Sequence, residues 1–159
     1  MDTCQFQHAP PAWPRKYGVL AVDDERGVRG LLDVGLRQEG FAVWLAADGR
    51  AAIDLYRHSG GVIDAVLMDV RMPGLDGPQT LAALREINPQ VRCCFMSGDP
   101  GGYTEGGLCD LGAAAVFRKP FCLAEVARVL RELVDSADLS PPSSGALAGN
   151  SFREMSKNL

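Results

Sequence analysis

Apolar residues recur along the chain in short runs, and segments of helical period separate them. The runs are YGVLAV (17–22), FAVWLA (41–46), VIDAVLM (62–68), VRCCFM (91–96) and AAAVFR (113–118). Each has strand length. After the first run, Val28, Leu31, Leu32, Gly35 and Leu36 mark one face of a helix that Gly40 terminates. Asp48 is placed to cap the segment GRAAIDLYRH. Asp76 is placed to cap a helix that runs to about Ile87, with Pro78 in its first turn, where proline is tolerated. The Gly-rich segment 101–112 is read as a fourth helix, and Leu123, Val126, Ala127, Leu130 and Val134 mark a fifth. Strict alternation of five strands and five helices predicts an α/β fold, a doubly wound parallel sheet with helices on both faces and right-handed crossovers.

The flanks differ in composition. Residues 1–15 contain Pro10, Pro11 and Pro14, have no periodicity, and read as a flexible N-terminal arm. Residues 136–159 are rich in Ser, Pro and Gly and read as a flexible C-terminal tail or the start of a linker. The folded part is then 16–135.

Polar residues close four of the five runs. The first ends in Asp23-Asp24-Glu25, the third in Asp69, the fourth in Ser97 and the fifth in Lys119. In an open α/β sheet the carboxyl ends of the strands form one rim, where ligands bind. Three carboxylates gathered there repel one another, and their ionisation is suppressed. A hard divalent cation relieves that repulsion; Mg²⁺ suits one or two carboxylates with waters and a phosphate oxygen. A lysine opposite holds an anionic oxygen as a point charge. The remaining carboxylate can attack phosphorus and become an aspartyl phosphate. Each residue also has a plainer reading: Asp23, Asp24 and Glu25 as helix N-terminal acids, Asp69 as a turn former before Pro73-Gly74, Ser97 as a turn serine, Lys119 as a solvated strand end. The agreement of four separate strand ends favours the shared site.

Charge and cysteines narrow the classes further. The net charge is -4 over 159 residues, so no basic excess supports direct nucleic-acid binding. No apolar run approaches the ~20 residues of a membrane span, and the N-terminus lacks the pattern of a secretory signal. Five cysteines, Cys4, Cys93, Cys94, Cys109 and Cys122, fit no zinc spacing. They are read as reduced thiols of a cytoplasmic protein. His8 and His58 are isolated and read as solvated; Trp44, Tyr56 and Phe95 read as core.

Four motifs in order, VLAVDDE (19–25), VLMDVRMPGLDG (66–77), MSG (96–98) and FRKPF (117–121), resemble the receiver domain of two-component response regulators, the CheY-like superfamily. Ser97 stands 22 residues before Lys119, a separation common in that family. The resemblance covers about 17–135. It implies a flavodoxin-like strand order 2-1-3-4-5 and makes Asp69 the phosphoacceptor. Asp23 and Asp24 become the acids around Mg²⁺ (or Mn²⁺), with Asp24 the direct ligand. The backbone carbonyl of Arg71 becomes a further metal ligand, and Ser97 and Lys119 hold the phosphoryl group. It also implies a cis Lys119-Pro120 bond. The implied donor is a histidine kinase or histidine phosphotransfer protein, and the implied output is contact with a downstream protein; a homodimer is left open.

Two departures stand out. The family's aromatic switch position is Val116 here, with Phe117 beside it on the opposite face of the strand. Cys122, a poor cap, precedes the last helix. Gly106 and Gly107 make the fourth helix the least stable element expected. Two other readings are a phosphate-independent receiver-like binding module and a Mg²⁺-dependent phosphohydrolase of the haloacid dehalogenase type. The latter usually carries a second acid two residues after the nucleophile, where this chain has Arg71.

Overall fold

In the computed structural model, which describes residues 17–99 and 101–138, strands and helices alternate along the chain. They are β1 Gly18–Val22, α1 Arg26–Gln38, β2 Ala42–Ala46, α2 Gly49–His58, β3 Ala65–Asp69, α3 Gly77–Ile87, β4 Cys93–Ser97, α4 Glu105–Asp110, β5 Ala115–Arg118 and α5 Leu123–Asp138. The five strands pair in parallel in the order β2-β1-β3-β4-β5. The proposed arm, most of the proposed tail, and Cys4, His8 and Trp13 lie outside the described residues.

The central strands β1, β3 and β4 are buried along their whole length, which explains why they read as runs rather than as alternating patterns. Alternation still decides which layer each side chain enters. Leu20, Val22, Val66, Met68, Cys93 and Phe95 meet Ala52 of α2, Leu81 and Leu84 of α3, and Leu108 of α4. Val19, Ala21, Ala65, Leu67, Cys94 and Met96 meet Leu32 and Leu36 of α1 and Val126, Leu130 and Val134 of α5. Burying each of the Val, Leu, Met and Phe side chains among them contributes roughly 1.5–3 kcal/mol, so the two layers hold most of the fold's apolar driving force. Trp44 and Tyr56 are only partly buried, packed at the edge of the first layer.

Local signals set the element ends. Asp48 caps α2 by accepting from Ala51 N. Asp76 caps α3 in a reciprocal capping box with Gln79, and Pro78 follows in the first turn. Gly40, with φ of 93°, follows the last turn of α1, where a left-handed residue costs glycine little. Two expectations need correction. Leu31 is 60% exposed, although the pattern placed it on the buried face of α1. At about 100° per residue it falls at the edge of the arc centred on Leu32, Gly35 and Leu36. The last helix continues to Asp138, past the boundary at 135. Val134 is buried near its end, and Ser136 Oγ donates to the Glu132 carbonyl, so serine does not break the turn.

No helix among the described residues is long and apolar enough to cross a membrane. Cys93 and Cys94 are buried and free; Cys109 and Cys122 are exposed and free. Burial pushes the Cys94 thiol up to about 12 and Cys93 higher still, so neither is a thiolate at neutral pH.

Candidate functional site

The carboxyl ends of β1, β3, β4 and β5 bring five of the expected residues to one rim. Asp23, just past β1, is fully buried. Its Oδ1 accepts from Glu25 N at 2.9 Å and its Oδ2 from Lys119 Nζ at 2.7 Å. Asp69 ends β3 and is 7% exposed; its Oδ1 lies 3.1 Å from Lys119 Nζ. Asp24 is exposed. Asp23, Asp24 and Asp69 each offer one oxygen, all within 4.8 Å of one another. Lys119 follows β5, and its own N–H donates to the Ser97 carbonyl at 2.9 Å, which ties the ends of β4 and β5 together. The Lys119-Pro120 peptide is cis.

Ser97 ends β4 and is 5% exposed. Among the described residues, its Oγ is the buried side-chain polar atom without a hydrogen-bond partner. A buried hydroxyl left unpaired costs on the order of 1–3 kcal/mol, so a group that answers it contributes to binding. Arg71 lines the same cleft as Asp24, Asp69 and Lys119. Its side chain pairs with Asp99 at 2.8 Å, both ends exposed.

The electrostatics follow from the count: three carboxylates face one ammonium. Burial raises the Asp69 pKa above the usual carboxylate range; Lys119 opposes this, and the charges of Asp23 and Asp24 add to it. Burial also works against the charge on Lys119, but its bonds to Asp23 and Asp69 outweigh that and hold its pKa above the ordinary lysine value. The pocket therefore carries excess negative charge among hard oxygen donors. A divalent cation fits that donor set.

Several contributors escape sequence reading. Arg29 Nη1 donates to the carbonyls of Asp23 and Asp24 at 2.8 and 2.9 Å and fixes the turn that carries both acids. Its signal was present: arginines at 26 and 29 in a helix's first turn oppose the dipole unless acids lie nearby. Gly77 lies so close to β3 that a Cβ there would sit 2.6 Å from the Asp69 carbonyl. Only glycine lets α3 begin against the strand end that presents Asp69. At the departure noted above, Val116 packs against the layer that holds Phe95, whereas Phe117 is buried in the opposite layer.

The sequence model of the response regulator receiver domain matches residues 19–131. The chain belongs to the response regulator receiver family. It is 36% identical over 124 residues to the sensor kinase CckA of Brucella abortus, covering 76% of this chain and 13% of that protein. It is 34% identical over 110 residues to sporulation initiation phosphotransferase F of Bacillus subtilis, covering 68% of this chain and 86% of that one. The CheX-CheY-BeF3-Mg²⁺ complex of Borrelia burgdorferi superposes with a TM-score of 0.68 at 28% identity, over 74% of this chain and 88% of that one. The chain spans about half the length of the mycobacterial transcriptional regulators it matches at 38% identity. The acidic cluster of Asp23, Asp24 and Asp69 is of the kind typical of the phosphoacceptor and divalent-cation site of receiver domains.

Proposed function

We propose that the receiver accepts a phosphoryl group on Asp69 from a histidine kinase or histidine phosphotransfer protein. One Asp69 oxygen attacks phosphorus, the nitrogen–phosphorus bond of the donor phosphohistidine breaks, and the imidazole keeps the electron pair. Mg²⁺ (or Mn²⁺), held by Asp23, Asp24, Asp69 and the backbone carbonyl of Arg71, would supply charge neutralisation for the incoming phosphoryl oxygens. Asp24 is the exposed acid and the more open to a hydrated ion; Asp23 serves mainly to hold Lys119. Lys119 is drawn from its carboxylate partners toward a phosphoryl oxygen, and Ser97 Oγ donates to another. The phosphoryl group thus competes for contacts that the resting pocket uses internally, which biases the nearby elements toward a second arrangement.

The observation that carries this reading is the gathering of three carboxylates, two of them paired with Lys119, beside a buried, unanswered serine hydroxyl. The receiver is assigned to residues 16–135, with α5 running three residues further, and the output is assigned to contact with a downstream protein in the cytoplasm, without direct binding of nucleic acid or membrane.

Intact-mass labelling with acetyl phosphate tests it. One Mg²⁺-dependent phosphoryl adduct, labile to hydroxylamine and lost in Asp69→Asn, is expected. No adduct from acetyl phosphate or from any phosphorylated histidine protein would favour a phosphate-independent binding module instead.

A further inference from the structure

α4 is too short to stand alone. It spans six residues and buries Leu108, and isolated helices under about 12 residues are marginal in water. Its C-terminal end closes as a Schellman turn. Gly112 N donates to the Cys109 carbonyl at 2.8 Å and Ala113 N to the Leu108 carbonyl at 3.1 Å, with Gly112 at a φ of 92°. The carbonyls of Leu111 and Gly112 are answered from another helix. Arg85, in the last turn of α3, donates from Nη1 to the Leu111 carbonyl and from Nη2 to the Gly112 carbonyl, the latter at 3.1 Å. A Cβ at Gly112 would fall on that guanidinium. Glycine is thus required there twice, for the left-handed turn and for the seat. One cation serves the negative ends of two helices.

The start of the same segment is also tied to α3. Tyr103, next to the Thr104 cap of α4, donates from its hydroxyl to Asp76 Oδ2 at 3.0 Å, and Asp76 is the cap of α3. The tie to β5 is the Glu105–Arg118 pair, more than half exposed at both ends and therefore weak. α3 itself is well fixed. Its Leu81 and Leu84 are buried. It starts against β3, where Gly77 N donates to the Val70 carbonyl at 2.9 Å, one residue past Asp69.

We propose that Arg85 is the residue through which α3 positions α4, and that a change at the Asp69 rim reaches α4 along α3. The second half rests on the phosphoacceptor reading above. A divalent cation on Asp69 and the Arg71 carbonyl, with a phosphoryl group beside them, would act on the loop from which α3 starts. α3 is capped at that end and packed along its length, so a shift of its first turn is passed on as a movement of the whole helix. Arg85 stands at the far end and holds the last carbonyls of the α4 segment. The weakest helix of the fold is thereby hung on the element that begins at the phosphoacceptor.

The test uses the full chain and two readouts. Amide exchange and Cα shifts over 105–112 are measured first, without ligand. Arg85→Met keeps the apolar stem and removes the donors. Exchange there should speed on the order of tenfold, the worth of a hydrogen bond to a charged group, and the Cα shifts should move toward coil, with β1 and β3 unchanged. Arg85→Lys, a point charge in place of a fork, should fall between. Beryllofluoride with Mg²⁺ then stands in for the phosphoryl group, and bound fluorine signal reports occupancy of the acid pocket. In the parent, amide shifts are expected at 71–77 and at 108–112. The comparison is Arg85→Met combined with Gly106→Ala, which strengthens the helix in open space without restoring the tie. Its response at 71–77 should persist and that at 108–112 should be lost. Unaltered exchange and Cα shifts in Arg85→Met overturn the positioning role. Bound fluorine signal with equal responses at 108–112 in parent and double variant, or with none in the parent, overturns the route along α3 alone. Absence of bound signal removes the phosphoacceptor reading and that route together, while the first readout still decides the positioning role.

Discussion

Asp69 stands in a place that resists its charge. Its pKa is raised by burial and by Asp23 and Asp24, against the pull of Lys119. A raised folded-state pKa means that the native state binds the proton more tightly than the unfolded chain does. The associated stability is full below the ordinary carboxylate value and is lost as pH rises through the raised one. Asp69→Asn cannot ionise, so it should be more stable than the parent at pH 7 without metal. That gain should disappear toward about pH 4; urea denaturation at the two pH values checks both signs. Lys119 behaves oppositely across neutral pH. Its contribution is present there and is lost only as pH climbs through its raised value, beyond about 10.5. Lys119→Met leaves the fully buried Asp23 without its ammonium and should cost about 3 kcal/mol at pH 7. Ser97→Ala should move the other way. Deleting the unpartnered hydroxyl should stabilise the resting protein by about 1 kcal/mol, while slowing labelling by acetyl phosphate. A loss of stability in Ser97→Ala would mean that the hydroxyl is answered after all.

At the scale of elements, α4 is the weak member. It spans six residues, buries Leu108 alone, and holds two adjacent glycines. The glycines are not equivalent. A Cβ at Gly106 would meet nothing within 4 Å, whereas one at Gly107 would sit 3.1 Å from Thr104 Oγ1, the cap itself. Gly106→Ala should therefore strengthen α4 by about 1 kcal/mol, seen as slower amide exchange over 105–110. Gly107→Ala should show little or none of that gain. Equal slowing in both would remove the cap from the explanation. The paired glycines of α4 were legible in the sequence, because glycine propensity is a local property. So were the strands, the Asp48 and Asp76 caps and the five rim residues, since strand ends, caps and turn residues are written in short stretches. What escaped depends on approach between distant segments. Leu31 faces outward because the buried arc of α1 is narrower than its apolar pattern. Arg29 acts on a turn that its own helix follows, and Tyr103 meets Asp76 across 27 residues. Neither pairing has a periodic signature. The division between Asp23 and Asp24, one fully buried on Lys119 and the other exposed, likewise needs the folded rim.

For the whole molecule, the fold gathers three carboxylates at the edge where four strands end, and a divalent cation bound there couples to global stability. A ligand that binds only the folded state adds RT ln(1 + [L]/Kd), about 2.7 kcal/mol at a hundredfold excess over Kd. Mg²⁺ should therefore raise the unfolding midpoint of the parent chain in a saturable way. Salt alone also relieves repulsion in a protein of net charge -4, so the comparison must be made at matched ionic strength with NaCl. Asp24→Asn separates the two effects. Asp24 is exposed, and its side chain makes no hydrogen bond or ion pair among those described, so its replacement should change stability without metal by no more than about 0.5 kcal/mol. It should nevertheless abolish most of the Mg²⁺-specific gain, because it removes the carboxylate best placed for a hydrated ion. Asp23→Asn would be a poorer probe, since it also breaks the bond to Lys119. If Mg²⁺ stabilised Asp24→Asn and the parent equally, the ion would be acting on the surface at large, and the pocket would have to be explained by the pairing of Lys119 with Asp23 and Asp69 alone.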